Sequence, residues 1–298
     1  MQVTPLVCTP TPEVRVLRKK VFPLLFLLFA FTLLITSCGG NADPAVKTEK
    51  PGTNGQPSPE PSSSGSTTTA GPVAPHDAKL IDHIEDQKHW DHCTKCAAKP
   101  GRSNPPLASW DFQQFQHTPS LDGSSVKFGI SGNAPYGNAL HITKFDGAHK
   151  SKHNFIFEFD IYGSAESLHA QNLESDLFQG VNGRKFMFGI QCNYDKGIWQ
   201  GWNAQAVQWI DFPQAPCRKF PAGQWTHVKW FLERTADNKL HYISVTVGNT
   251  TWKVDSYQPS VGVSNGWDDS LGVQFQQDLN GDAVDYAIWV DRIKVWSW

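Results

Sequence analysis

The chain has 298 residues, of which 18% are charged, and a formal net charge of −2. A balance this close to zero, with no basic run outside the first 20 residues, excludes a nucleic-acid or polycation-driven membrane surface as the main partner. Twelve tryptophans exceed what one core of this size needs, so aromatic ligand contacts are expected beside core packing.

Arg15, Arg18, Lys19 and Lys20 form a basic start, followed by the uncharged run 21-VFPLLFLLFAFTLLI-35. That run is short of the roughly 20 apolar residues a transmembrane helix needs, and it reads as an export signal. It ends in 35-ITSC-38 followed by two glycines, which resembles a bacterial lipobox. The resemblance implies a signal peptide over 1–37, a mature chain beginning at a lipidated Cys38, and export to the envelope of a bacterial cell, at the outer membrane or cell surface. Residues 38–76 hold 51-PGTNGQPSPEPSSSGSTTTAGPVAP-75, too poor in large apolar residues to offset chain entropy, and are expected to be a disordered tether.

A short extension over 77–106 follows. Within it 79-KLIDHIEDQKHW-90 has Leu80, Ile84 and Trp90 at helical spacing and predicts a short helix. Beyond it the pattern is short apolar or alternating runs separated by Gly, Asn, Asp and Pro. Strands are predicted over 125–130, 138–145, 154–163, 172–179, 185–193, 225–235, 240–249, 251–257, 271–279 and 284–298, with turns at 237–239, 248–250 and Asn280-Gly281. The fold class is all-β, an antiparallel sandwich or jelly roll over 107–298.

With Cys8 in the removed segment and Cys38 lipidated, Cys93, Cys96, Cys192 and Cys217 remain. An even number in an exported domain favours disulfides. Local pairs, Cys93–Cys96 and Cys192–Cys217, are the simplest of three connectivities. His89 and His92 beside Cys93 and Cys96 also permit drawing a zinc site, but an oxidising compartment favours the bridge.

The runs 154-NFIFEFDIYG-163, 173-LESDLFQ-179, 225-WTHVKWFLERTADNKLHYISVTVGN-249 and 286-YAIWVDRIKVW-296 together resemble the concanavalin A-like lectin/glucanase superfamily. The phrases 119-PSLDGSSVKFGISG-132, 191-QCN-193 and 274-QFQQDLNGD-282 resemble bacterial exported lectin-like proteins. The likeness implies the sandwich and the local cysteine pairs. Glycosidases of this superfamily carry Glu-x-Asp-x-(x)-Glu on one strand, as nucleophile, tuning carboxylate and acid/base. Here Glu174 and Asp176 match the first two, while the third position is Phe178, or Gln179 if the strand bulges. Neither side chain delivers a proton, and general acid catalysis contributes roughly 10²–10⁴-fold, so the likeness implies a binding relative rather than a hydrolase.

The segment between Cys192 and Cys217 combines Trp199, Trp202 and Trp209 with Asn193, Asn203, Gln205, Gln208 and Asp211. Flat aromatics with amide partners suit a sugar's C–H faces and hydroxyls. It reads as a ligand loop held at its base by a disulfide. The expected carbohydrate site is therefore Glu174, Asp176, Gln179, Asn193, Trp199, Trp202, Asn203 and Trp209. Asp278, Asn280 and Asp282 have the oxygen-rich look of a calcium loop but lack the full pattern, and a turn accounts for them; no cofactor or metal is expected. The reading is a lipid-anchored glycan-binding module. The alternatives are a glycan-degrading hydrolase or lyase of the same fold, and a structural or partner-binding lipoprotein.

Overall fold

The computed structural model describes residues 71–94, 108–133, 135–147, 149–260 and 269–298, all within a compact unit over 60–298. The export signal, Cys38, most of the tether and Cys96 lie outside the described residues. Two eight-stranded antiparallel sheets face each other. Sheet A runs β14 (Thr250–Pro259), β13 (Lys239–Val247), β12 (Trp225–Arg234), β6 (Asn154–Gly163), β16 (Tyr286–Ser297), β4 (Ser125–Ser131) and β3 (Ser109–Gln116), with β1 (Lys79–Ile81) also on β16. Sheet B runs β11 (Gln208–Pro216), β10 (Ile198–Asn203), β9 (Ile190–Asn193), β7 (Ala170–Val181), β15 (Ser270–Leu279), β5 (Asn138–Asp146) and β2 (Asp91–Cys93), with β8 (Arg184–Phe188) on β7. β12 to β14 and β9 to β11 are meanders. The central strands of each sheet come from distant parts of the chain, which is the crossing pattern of a jelly roll.

Alternation explains the layers. Phe128, Phe157, Phe159, Trp230 and Tyr242 point inward from sheet A, and Leu177, Phe188, Trp199, Phe212 and Phe275 from sheet B, all at most 2% exposed. Each such side chain contributes on the order of 1.5–3 kcal/mol of burial.

The helix expected over 79–90 is not formed. Its residues make β1, a 3-10 turn at Ile84–Asp86, and the approach to β2. Ile84 and Trp90 reach the core from these separate pieces while Leu80 stays exposed, so the helical spacing is coincidental. The segment read as an extension thus adds a strand to each sheet. The strand expected over 185–193 breaks at Gly189 into β8 and β9. A Cβ there would lie 2.6 Å from Cβ of Trp202, so only glycine fits. The supposed loop between Cys192 and Cys217 is a hairpin, β10–β11, that extends sheet B.

Candidate functional site

β7 is the centre of sheet B. It pairs with β15 from Asn172↔Asp278 to Gly180↔Ser270 without a shift. Side chains therefore alternate strictly. Leu173 and Leu177 enter the core, while Asn172, Glu174, Asp176 and Phe178 face outward on sheet B. Cross-strand register extends two rows over that outer face. One row holds Gln276, Glu174, Gln191, Gln200 and Asp211. The next holds Gln274 and Asp176, then Gly189, which has no side chain, then the paired Trp202 and Trp209.

The polar side chains of these rows bond one another. Gln274 Nε2 donates to Asp176 Oδ2 at 2.9 Å and to Glu174 Oε1 at 3.4 Å. The backbone N–H of Ile190 donates to Asp176 Oδ1 at 3.0 Å. Gln191 and Asn193 both donate to Gln200 Oε1, Gln200 donates to Asp211, and Lys196 Nζ donates to Asp211 at 2.8 Å. Gln276 Nε2 donates to both carboxylate oxygens of Asp278, at 3.1 and 3.2 Å. Lys185 Nζ lies 3.9 Å from the centroid of the Phe178 ring.

The carboxylates here are buried, Glu174 to 6%, Asp176 to 0% and Asp278 to 8% exposure. Burial, and then the neighbouring Asp176, push Glu174 well above the ordinary carboxylate range. Burial raises Asp176 to about 7, against the lowering effect of a hydrogen bond from Glu174 and of the Ile190 N–H. Two acids this close in a buried layer disfavour ionisation of both at once, so the pair titrates as a unit. Burial likewise lifts Asp278 to about 7 and lowers Lys185 to about 8. At the rim the side chains open. Trp202, Trp209, Asn193 and Lys185 are half-buried and Asp211 is exposed.

Of the sequence-predicted site residues, Glu174, Asp176, Asn193, Trp202 and Trp209 share this face, and three do not. Gln179 is corrected to the opposite face, because β7 keeps its register from Asn172 to Gly180 with no bulge there to turn it. Its amide donates to the carbonyls of His149 and Lys152 at 2.7 and 2.8 Å and accepts from Arg234 Nε at 2.7 Å. Trp199 is a core residue, 1% exposed, packed edge-on against Trp230 at 5.3 Å. Asn203 reaches across the sandwich edge to Gln258 Oε1 at 3.1 Å and accepts the Ala206 N–H. Nor do Trp202 and Trp209 form one flat platform. Their rings meet at 61° with centroids 5.2 Å apart. The face also contains Gln274 and Gln276, which sequence reasoning left out, and Asp278, which it placed in an oxygen-rich turn. Their alternation in 274-QFQQD-278 was the available signal.

Cys192 and Cys217 are bridged, and Cys93 is disulfide-bonded, so among the described residues the Cys93 sulfur is not a thiolate ligand for zinc. The oxygen-rich turn disperses. Asp278 lies on the outer face of sheet B, while Asn280 Oδ1 accepts the Asp282 N–H at 2.8 Å. Among the described residues, the ligand atoms of one carboxylate–histidine group, His83, Glu85 and Asp122, all lie within 4.8 Å of one another. Burial lifts Glu85 to about 7.

No protein-family model matches the chain, and no curated protein matches it. Solved structures are similar to it at low scores. A cellulose-induced protein, Cip1, is 13% identical, with 73% of this chain and 96% of that chain covered and a TM-score of 0.42. Arcelin-5, a lectin-like defence protein from Phaseolus vulgaris, is 11% identical, covering 70% and 98%, with a TM-score of 0.38. A carbohydrate esterase of the Shiga toxin-encoding bacteriophage phi24B is 13% identical, covering 70% and 89%, with a TM-score of 0.39. Values this low transfer no ligand and no residue role.

Proposed function

We propose that the sandwich binds carbohydrate on the outer face of sheet B without cleaving it, and that the exported protein is held at a bacterial cell envelope by lipid on Cys38. One observation carries the binding reading. A row of carboxylate and amide side chains, Glu174, Gln191, Gln200 and Asp211, runs beside a row that ends in Trp202 and Trp209. Hydroxyl-rich rings need both kinds of partner, directional acceptors and donors beside an aromatic surface. The middle of the face is buried and the tryptophan edge is half-open, so a glycan engages it from that edge.

The non-catalytic part rests on the strand itself. At the two places where a glucanase-type acid/base would stand, Phe178 has no proton to give, and Gln179 is an amide facing away. The experiment is a glycan array on the full chain with Trp202→Ala and Glu174→Gln beside it, followed by a reducing-end assay on each hit. Binding that drops in both variants, without sugar release, is expected. Unchanged binding in both moves the site elsewhere, and turnover makes the protein an enzyme. For the anchor, Cys38→Ser is expected to release the protein from membranes, since acyl chains supply the membrane affinity.

A further inference from the structure

Sheet A has an outward cleft of about 340 Å³ at the end of the sandwich where β16 leaves the Asn280 turn. Its construction follows from register. Ala287 of β16 pairs with Gly129 of β4, which pairs with Asp111 of β3. Two of those three residues carry a methyl group or nothing, so the row is a trough. The adjacent row is tall. Trp225, Tyr162, Trp289 and Lys127 stand opposite one another on four neighbouring strands. Trp289 and Lys127 form one wall, with the ammonium 5.9 Å from the indole centroid. Ser131 and Asp285 form the other wall, and Ser164 with Glu166, from the turn after β6, closes an end.

The polar groups of the cleft select a class of ligand. Asp111 accepts from Lys127 Nζ and from Gln113 Nε2, each at 2.9 Å, and Asp285 Oδ1 accepts the Gly132 N–H at 2.9 Å. Asp111, Asp285 and Glu166 are exposed, the Ser164 hydroxyl bonds the Glu166 carboxylate and accepts the Ala287 N–H at 3.4 Å, and all of these residues line the cleft. Three carboxylates against one ammonium repel an anion. The place a cation takes over the indole is already filled by Lys127. A neutral ring that lays C–H groups on Trp289 and offers hydroxyls to acceptors on two sides fits both constraints. The volume, near the lower end for small-molecule pockets, suits about one or two such rings.

We infer that this cleft is a second saccharide site, independent of sheet B, that takes a neutral pyranose. Its affinity is expected in the millimolar range, as for a small contact with few immobilised groups.

The test is saturation-transfer NMR on the full chain with methyl glycosides of glucose, galactose, mannose and N-acetylglucosamine, and with glucuronate as the anionic control. Ala287→Leu fills the trough from an outward-facing position, and its fold is checked by thermal unfolding. At least one neutral glycoside is expected to receive saturation on its ring protons. Ala287→Leu should weaken it by about tenfold or more, and Glu174→Gln should leave it intact. Should Ala287→Leu fail to fold, Lys127→Gln at the rim replaces it, with weaker binding expected. Contact with none of the four neutral sugars, binding equal to the unmodified chain in the folded cleft variant, or glucuronate binding as well as the neutral sugars would each overturn the assignment.

Discussion

The amide of Gln274 holds the carboxyl groups of Asp176 and Glu174 together, donating at 2.9 Å to the first and 3.4 Å to the second across the β7–β15 ladder. Two acids side by side in a buried layer are stable only if one keeps its proton and each has donors. Gln274 is the side-chain donor common to both.

Gln274→Leu removes that donor while keeping the volume close. Buried acceptors left without a partner cost on the order of 1–3 kcal/mol. Urea unfolding should show a loss of this size, and a variant as stable as the unmodified chain would show that the amide is dispensable.

The buried acids also set a pH dependence. Glu85, Asp176 and Asp278 are lifted to about 7 and Glu174 is raised well above the ordinary carboxylate range, burial being the first cause in each. Unfolded, these groups lose their protons near pH 4 to 4.5; folded, Glu85, Asp176 and Asp278 keep them to about 7, and Glu174 shifts in the same direction. Folding takes up protons across that window, so their stabilisation is present at its acid end and is lost as pH rises through 7. His141 and His149, lowered by burial to about 3 and about 4, and His92, also lowered by burial, act with the opposite sign below 6.5. Between pH 6 and 8 the acids dominate. Thermal midpoints should fall by a few degrees over that range, and Asp278→Asn should flatten the slope. A midpoint that is level or rising would contradict the buried-acid layer.

The strands were legible where alternation is clean. The run 154–163 matches β6 in full, and 138–145, 225–235 and 271–279 fall within a residue or so of their strands. Hairpin β10–β11 reads as a loop in the sequence because its tryptophans and amides suggest a ligand; the alternation is broken by Gly201 and Pro213. The Trp199 side chain faces inward because it is opposite Cys192 in register. Glu174 and Asp176 were placed on one face by period alone, and the structure agrees. The side chains beside them come from β9, β10 and β15, and no local pattern predicts which strands neighbour β7.

The Cys192–Cys217 bridge spans 25 residues and ties β9 to the end of β11. Closing such a loop is worth about 3–4 kcal/mol on the chain-entropy treatment. Reduction should therefore raise hydrogen exchange in 198–216 before the rest of the sandwich, and weaken any ligand held by Trp202. Exchange that rises everywhere at once would make the bridge a global rather than a local brace.

Gln179 separates a buried support from a lost catalytic group. Its Nε2 faces two carbonyls, so Gln179→Glu sets a carboxylate against both and keeps only the favourable contact with Arg234. A loss of about 1–3 kcal/mol is expected, with no gain of sugar cleavage. Stability equal to the unmodified chain together with new reducing ends would place position 179 on the ligand face after all.

Trp199 and Trp202 are three residues apart and should behave differently. Trp199 is sealed between the sheets against Trp230. Trp199→Ala leaves a core cavity and should cost about 3–5 kcal/mol, its effect on glycan binding following from lost fold. Trp202 is half-buried at the sheet edge, packed against Trp209. Trp202→Ala should cost less stability and about tenfold or more in glycan affinity, as expected of an aromatic anchor. Calorimetric binding beside urea unfolding on both variants gives the comparison. Equal stability losses with equal binding losses would mean that Trp202 acts only as packing, and the ligand edge of sheet B would then have to be sought along β15 and β5.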